Sequence, residues 1–462
     1  MILKKYLALA VLVVIINFAV SFFLPSGGVY ADSLSYFEIA NDLPKPVTDL
    51  FPLGYPLMLR GFYEVFKDFF WAYKFLNTTM IVSILVFSFR KKFYFRETVL
   101  LFTGKTLFFV FSIAISESLF LFLLYFLLYH LHQILNDEKK SYRNAIFASL
   151  IMIAMLMVRY SGMYVYLAIT AFTAYYLFKK KDHLITRKLL CLVFISGLGM
   201  TAYLLFNLNM FGSFTGENLR GKPEEILPIY VLRDLLGTAN VVNPYIGLKP
   251  ASNSFASLAF QFFILLIDIG VFVYLLRFFK KAKDTSLYYY HILLWTVCGC
   301  YAVCLLVSGW FQQIEEMNTR MMAAANVCLF FSFLILYFNG GKSDRVLFRI
   351  GCFFLLFLTV YTLKSPESYF ENRSIIEPQM AKFNNKKYLY NNEKNGVDAL
   401  TTYHIPIINK TFQYKHTASQ KGDIKQSIAG TINPKIKWLK YDTVKDKAKV
   451  LYTSELILMR KK

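Results

Sequence analysis

Eleven stretches of this chain are apolar enough to demand a low-dielectric surrounding, which makes a bundle of membrane-crossing helices the main architecture open to it. A hydrocarbon layer about 30 Å thick takes roughly 20 apolar residues per helix, and without water inside it every backbone group must find its partner within the protein. The runs extend from Tyr6 to Leu24, Trp71 to Phe89, Thr98 to Ile115, Ser118 to Leu135, Ala145 to Val158, Met163 to Phe178, Leu189 to Phe211, Phe255 to Phe279, Leu287 to Ser308, Met321 to Phe338 and Val346 to Leu363. Hydrophobic residues fill 56% of the 462 positions, charged ones only 17%, and the mean hydropathy is +0.44. Those values exclude a disordered chain and fit a soluble enzyme poorly.

The net charge of +22 is not a nucleic-acid signature. Lys and Arg fall in short clusters between the apolar runs, as orientation signals do. Twenty-one of them lie in the gaps that share a side with the N-terminus, against nine in the opposite gaps. The positive-inside rule then puts the N-terminus in the cytoplasm and, with an odd number of spans, the C-terminus outside. No small-residue cleavage site follows Leu24, so the first run reads as an anchor helix. The six cysteines all lie inside apolar segments and read as core. The histidines are too scattered for a metal cage. No Walker loop, dinucleotide-binding glycine motif or Gly-x-Ser-x-Gly elbow occurs.

The expected fold is an all-α polytopic membrane protein with about 11 transmembrane helices over residues 1–363, followed by a small extracytoplasmic α/β domain over 364–462. Strand-like stretches in that tail run from Leu400 to Ile408 and from Lys449 to Met459. Two long outer loops, 25–70 and 212–254, hold the polar residues that suggest chemistry.

In the first loop, Ala31-Asp32-Ser33-Leu34-Ser35-Tyr36-Phe37-Glu38-Ile39-Ala40-Asn41-Asp42 reads as a helix. It sets Asp32, Ser35, Tyr36 and Ile39 on one face and Glu38 on another, an amphipathic helix at the membrane surface. Asp32 alone could be a helix N-cap. Further on, Phe51-Pro52-Leu53-Gly54-Tyr55-Pro56 is a rigid turn into a second interfacial helix, Leu57 to Phe66. Glu117 falls in a tight outer turn, where it either caps the next helix, pairs with an arginine, orients an acceptor or binds a cation. Arg159 and Arg320 lie at outer span ends, where an arginine either snorkels to headgroups or grips a phosphate. Arg220 and Lys222 belong to a Gly-punctuated polar loop suited to close approach of a ligand.

Taken together, a long outer loop after the first span, Asp-x-x-x-Tyr-x-Glu-Ile, a Pro-Leu-Gly-Tyr-Pro turn, Ile115-Ser116-Glu117-Ser118, Arg159-Tyr160-Ser161-Gly162 and Asn318-Thr319-Arg320 resemble the GT-C glycosyltransferases. The resemblance is to the polyprenyl-phosphate-sugar-dependent branch that includes protein O-mannosyltransferases and the lipid A aminoarabinose transferase. Many members have Asp-Glu where this chain has Asp32-Ser33, and a Pro-Pro pair where it has Gly54-Tyr55-Pro56, so it fits a related branch.

What the resemblance implies is an inverting glycosyltransferase of the inner (plasma) membrane that builds cell-envelope glycan. It would move a sugar from a polyprenyl-phosphate donor to a hydroxyl on a lipid, glycan or protein acceptor. Asp32 would be its general base. Tyr36, Glu38 and Glu117 would orient the acceptor side of the site, and Arg159, Arg220, Lys222 and Arg320 would bind the donor phosphate. A lipid monophosphate leaving group needs no resident cofactor, although a divalent cation is compatible with the acidic residues. A polymerase or ligase acting on lipid pyrophosphate, and a flippase or transporter of lipid-linked sugars, are the alternatives. Most polar candidates lie at the outer surface and not at the midplane, which disfavours a transporter.

Overall fold

The computed structural model describes residues 2–24, 27–46, 49–136, 141–180, 182–217, 228–245, 255–311, 317–363, 368–380, 387–391, 413–416 and 449–452. The first anchor is α1 (Ile2–Val20), and the first outer loop folds into α2 (Ala31–Asp42) and α3 (Gly54–Phe66). Then come α4 (Phe69–Lys91), α5 (Phe95–Phe102), α6 (Lys105–Ser112), α7 (Ser116–Asn136), α8 (Arg143–Val158), α9 (Gly162–Lys179) and α10 (His183–Phe211). After the second outer loop, with α11 (Pro228–Thr238), follow α12 (Phe255–Lys281), α13 (Tyr288–Phe311), α14 (Ala323–Asn339) and α15 (Asp344–Leu363). Among the described residues seven helices, α1, α4, α7, α10, α12, α13 and α15, are long and apolar enough to cross a membrane, and α8 and α14 are shorter apolar helices.

One expected span is not a single helix. The run from Thr98 to Ile115 divides into α5 and α6 at Thr103-Gly104. Thr103 turns its hydroxyl back onto the Leu100 carbonyl (2.7 Å), and Gly104 leaves helical geometry with ψ 151°. The amide of Thr106 finds the Pro244 carbonyl at 3.4 Å. A broken helix inside such a bundle is tolerated where protein packs into the break.

The two ends of the bundle are set by contacts between its first and last spans. At one end Lys5 pairs with Asp344, and the Tyr6 hydroxyl donates to the same carboxylate at 2.5 Å. At the other end α16 (Tyr369–Met380) covers the α1–α4 corner. There Tyr369 stacks on Phe70 with ring centres 3.8 Å apart, Phe370 meets Phe22 at 5.3 Å, and Arg373 donates to Asp68 at 3.1 Å. The helices α1 and α15 therefore run parallel, and the start of the chain lies at the opposite end of the bundle from α16.

The tail carries β1 (Lys387–Asn391), β2 (Gln413–His416) and β3 (Lys449–Tyr452), a parallel sheet in the order β2-β1-β3, with β2 beside α2. Of the two strands expected there, Leu400 to Ile408 lies outside the described residues, and the other begins as expected at Lys449.

Candidate active site

The site is assembled where four segments turn at the end of the bundle that carries α2 and α3. Between α6 and α7 the chain makes a buried extended step. Its exposed backbone groups are taken up one by one, as burial requires. Asn77 on α4 donates to the carbonyls of Phe111 (3.0 Å) and Ile113 (2.9 Å) and accepts from the Ser118 hydroxyl (3.0 Å). Ala114 donates its amide to the Gly28 carbonyl at 2.8 Å, and its own carbonyl accepts from the Ser33 hydroxyl at 2.6 Å. The start of α2 is thereby fixed to the start of α7. Gly28 has φ +78°, and a Cβ there would lie 2.5 Å from the Ser112 carbonyl oxygen, so the close approach needs glycine.

Asp32 is not the cap of α2. Tyr30 occupies the cap position, and its amide donates to the Ser33 hydroxyl at 3.0 Å. The Asp32 carboxylate turns instead to Arg320, whose Nη1 donates to Oδ2 at 2.6 Å. Arg320 also faces Glu117, with Nε 3.3 Å from Oε1, and the other oxygen of Glu117 is 2.7 Å from Nη1 of Arg159. Arg159 continues to the Ser116 hydroxyl (3.0 Å), which bonds the Tyr36 phenol (2.8 Å). Five of the predicted residues, Asp32, Tyr36, Glu117, Arg159 and Arg320, thus form one polar chain.

The four charges sum to zero, and exposure separates their roles. Asp32 keeps 24% of its side-chain surface open and Glu117 only 5%, so Asp32 is the carboxylate an incoming group can reach. Glu117 pairs with both arginines, the pairing that the sequence offered as one of its readings. Burial raises the Tyr36 phenol pKa further above its usual value, so this group is a neutral hydrogen-bonding partner and not a base.

Three expectations need correction or limits. The helix α2 is more enclosed than its amphipathic pattern suggests: Ser33 and every residue from Ser35 to Ala40 are buried, because α3 and the bundle enclose it on several sides. Glu38 is buried on a face of α2 other than that of Asp32. Arg220 and Lys222 lie outside the described residues. Asp268, which the sequence sets inside an apolar run, accepts from the Asn243 side-chain amide at 3.0 Å.

Two supports were not anticipated. Ser116 joins Arg159 to Tyr36; its place beside Glu117 was visible, its partners were not. Asp49 ties the two outer loops together: its Oδ2 accepts from the Ser213 hydroxyl (2.5 Å) and the Gly216 amide (3.0 Å), and its carbonyl accepts from the Tyr160 hydroxyl (2.8 Å). Burial raises the Asp49 pKa in spite of these bonds. Among the described residues no group of three or more His, Cys, Asp or Glu is placed to hold a metal ion.

No protein-family model matches the sequence, and no curated protein does. Seven solved chains match in structure. One is the crystal structure of ArnT from Cupriavidus metallidurans bound to undecaprenyl phosphate, with a TM-score of 0.54 at 11% sequence identity, over 88% of this chain and 85% of that one. At that identity the likeness is one of fold.

Proposed function

We propose that this chain, a multi-span membrane protein with the GT-C fold, transfers a sugar from a polyprenyl-phosphate carrier to a hydroxyl acceptor at the outer face of the membrane. The observation that carries this reading is the pairing of an accessible carboxylate, Asp32, with a guanidinium, Arg320, backed by a second guanidinium through Glu117. A base and an anion-binding group side by side at a bilayer surface are what transfer from a lipid phosphate requires.

In the reaction Asp32 accepts the proton of the acceptor hydroxyl as its oxygen attacks the anomeric carbon. The bond from that carbon to the phosphate oxygen breaks, and the lipid phosphate departs with both electrons. Arg320 and Arg159 stabilise the added negative charge, guanidinium to phosphate being a strong charge-assisted pairing. Attack opposite the leaving group inverts the anomeric centre. Tyr36 and Ser116 hold Arg159 in place. Arg220 and Lys222 add donor contacts from the second outer loop in this reading. Undecaprenyl phosphate is the carrier that the likeness to ArnT supports, and an inner membrane is the location that follows.

The test is a panel of donors with the purified protein in liposomes, each bearing one sugar on undecaprenyl phosphate or on undecaprenyl diphosphate, with hydroxyl acceptors from envelope glycan and lipid. Release of lipid monophosphate from a monophosphate donor, with an inverted product, is the expected result. Turnover confined to diphosphate donors would replace the reading with that of a polymerase or ligase. Movement of intact donor across the bilayer without bond cleavage would replace it with a flippase.

A further inference from the structure

The contacts of Arg320 raise a problem that the reaction must solve. The guanidinium needed by the donor phosphate is already bonded to the carboxylate needed as base, at 2.6 Å. While that bond stands, Oδ2 of Asp32 is engaged and not open to an acceptor hydroxyl. Two carboxylates already face the two guanidiniums among the described residues. A donor phosphate brings another negative charge and must compete for a cation.

We infer that Arg320 exchanges partners, holding Asp32 in the empty site and releasing it when the donor phosphate takes its place. The proposal rests on the reading above and deepens it. The geometry gives Arg320 a pivot. Its Nε faces Glu117, the least exposed carboxylate of the group, which is itself held by Arg159. Its Nη1 faces Asp32, the most exposed. A rotation about the Cδ–Nε bond swings Nη1 away from Asp32, free to meet a phosphate, while Nε keeps its place beside Glu117. Glu117 is then a positioning residue: it acts through Arg320 and touches neither donor nor acceptor.

The exchange sets an order of events. Both oxygens of Asp32 are open to the acceptor hydroxyl only when the donor is seated, so donor before acceptor is the productive order. Competition also has a thermodynamic sign. Asp32 and the phosphate are rivals for one guanidinium, so removing the charge of Asp32 strengthens phosphate binding, and does so through Arg320.

The experiment measures binding of undecaprenyl phosphate itself to the full chain in nanodiscs, with no turnover involved, for the wild type, Asp32→Asn, Arg320→Lys and the double variant. The expected result is an affinity at least about fivefold higher for Asp32→Asn than for the wild type, a gain within the ordinary range of coupling between sites. In the Arg320→Lys background, where the two-pronged guanidinium is gone, the gain shrinks to about twofold or less, the residue of removing a nearby charge. Because Asp32→Asn is nearly isosteric and Arg320→Lys keeps the charge, both are compatible with folding, and the first comparison stands alone if the second variant is not recovered. Equal affinity of wild type and Asp32→Asn overturns the exchange and leaves the glycosyltransferase reading in place. An undiminished gain in the Arg320→Lys background also overturns it. Failure of the wild type to bind the lipid phosphate overturns both.

Discussion

At the scale of single residues the central feature is a carboxylate between two guanidiniums. Taking charges out of water costs several kcal/mol per ion, and a buried pair repays this only when its partners stay in place. Replacing Glu117 by Gln leaves Arg159 and Arg320 facing each other across a neutral amide. The expected cost is about 3–5 kcal/mol, the penalty for breaking a buried pair from one side, seen as a lowered midpoint of thermal unfolding in detergent. An unchanged midpoint would mean that the two arginines are held by something else. The sequence made Asp32, Arg159, Arg320 and Glu117 legible because charged residues at the ends of apolar runs are few. It could not reveal their pairing: Arg320 meets a residue 288 positions away, and no spacing rule reaches across such a distance. The linking role of Ser116 was hidden for a simpler reason, since a serine at the start of a span is unremarkable until its neighbours are known.

At the scale of elements the site depends on how α2 is attached to the bundle. Gly28 permits the chain to pass against the Ser112 carbonyl, and the bonds from Ala114 to Gly28 and from Ser33 to Ala114 then fix where α2 begins. Alanine at position 28 combines a strained positive φ, about 1–3 kcal/mol, with that collision. Gly28→Ala is therefore expected to lower turnover through displacement of Asp32 even where the fold survives; unchanged kcat would show that α2 is positioned otherwise. The second attachment is Asp49. Since burial raises its pKa in the folded state, the contribution of Asp49 to stability is full below its ordinary carboxylate value and is lost as pH rises through the raised folded value. Asn at this position is permanently neutral, so the melting temperature of the wild type relative to Asp49→Asn falls as pH is raised from about 4. A constant difference, or one that grows with pH, would contradict the burial argument. The apolar runs announced most helices, but not the break between α5 and α6: Thr103 and Gly104 lie inside the run, yet the Pro244 carbonyl that takes up the Thr106 amide there comes from another loop. The alternation of polar and apolar residues in α2 suggested a surface helix for the same reason: what covers its second face comes from α3 and distant spans.

At the scale of the whole molecule, the parallel run of α1 and α15 requires that the N-terminus and α16 stand on opposite faces. With the basic loops cytoplasmic, a single cysteine placed at the exposed position Phe370 is expected to react with a membrane-impermeant maleimide in whole cells, and one at Leu3 only after permeabilisation. The reverse pattern would invert the bundle and put Asp32 on the cytoplasmic side. That the chain builds a bundle of long apolar helices was readable from the sequence, because such runs answer to the bilayer. The docking of α16 on the α1–α4 corner was not, since it is built from aromatic contacts between segments some 300 residues apart. All of these relations serve one claim, that Asp32 accepts the acceptor's proton. The direct test is turnover of Asp32→Asn in liposomes with a donor that supports the wild type, measured alongside lipid-phosphate binding. The account predicts a loss of about 10²–10⁴-fold with binding undiminished, and turnover equal to that of the wild type would contradict it.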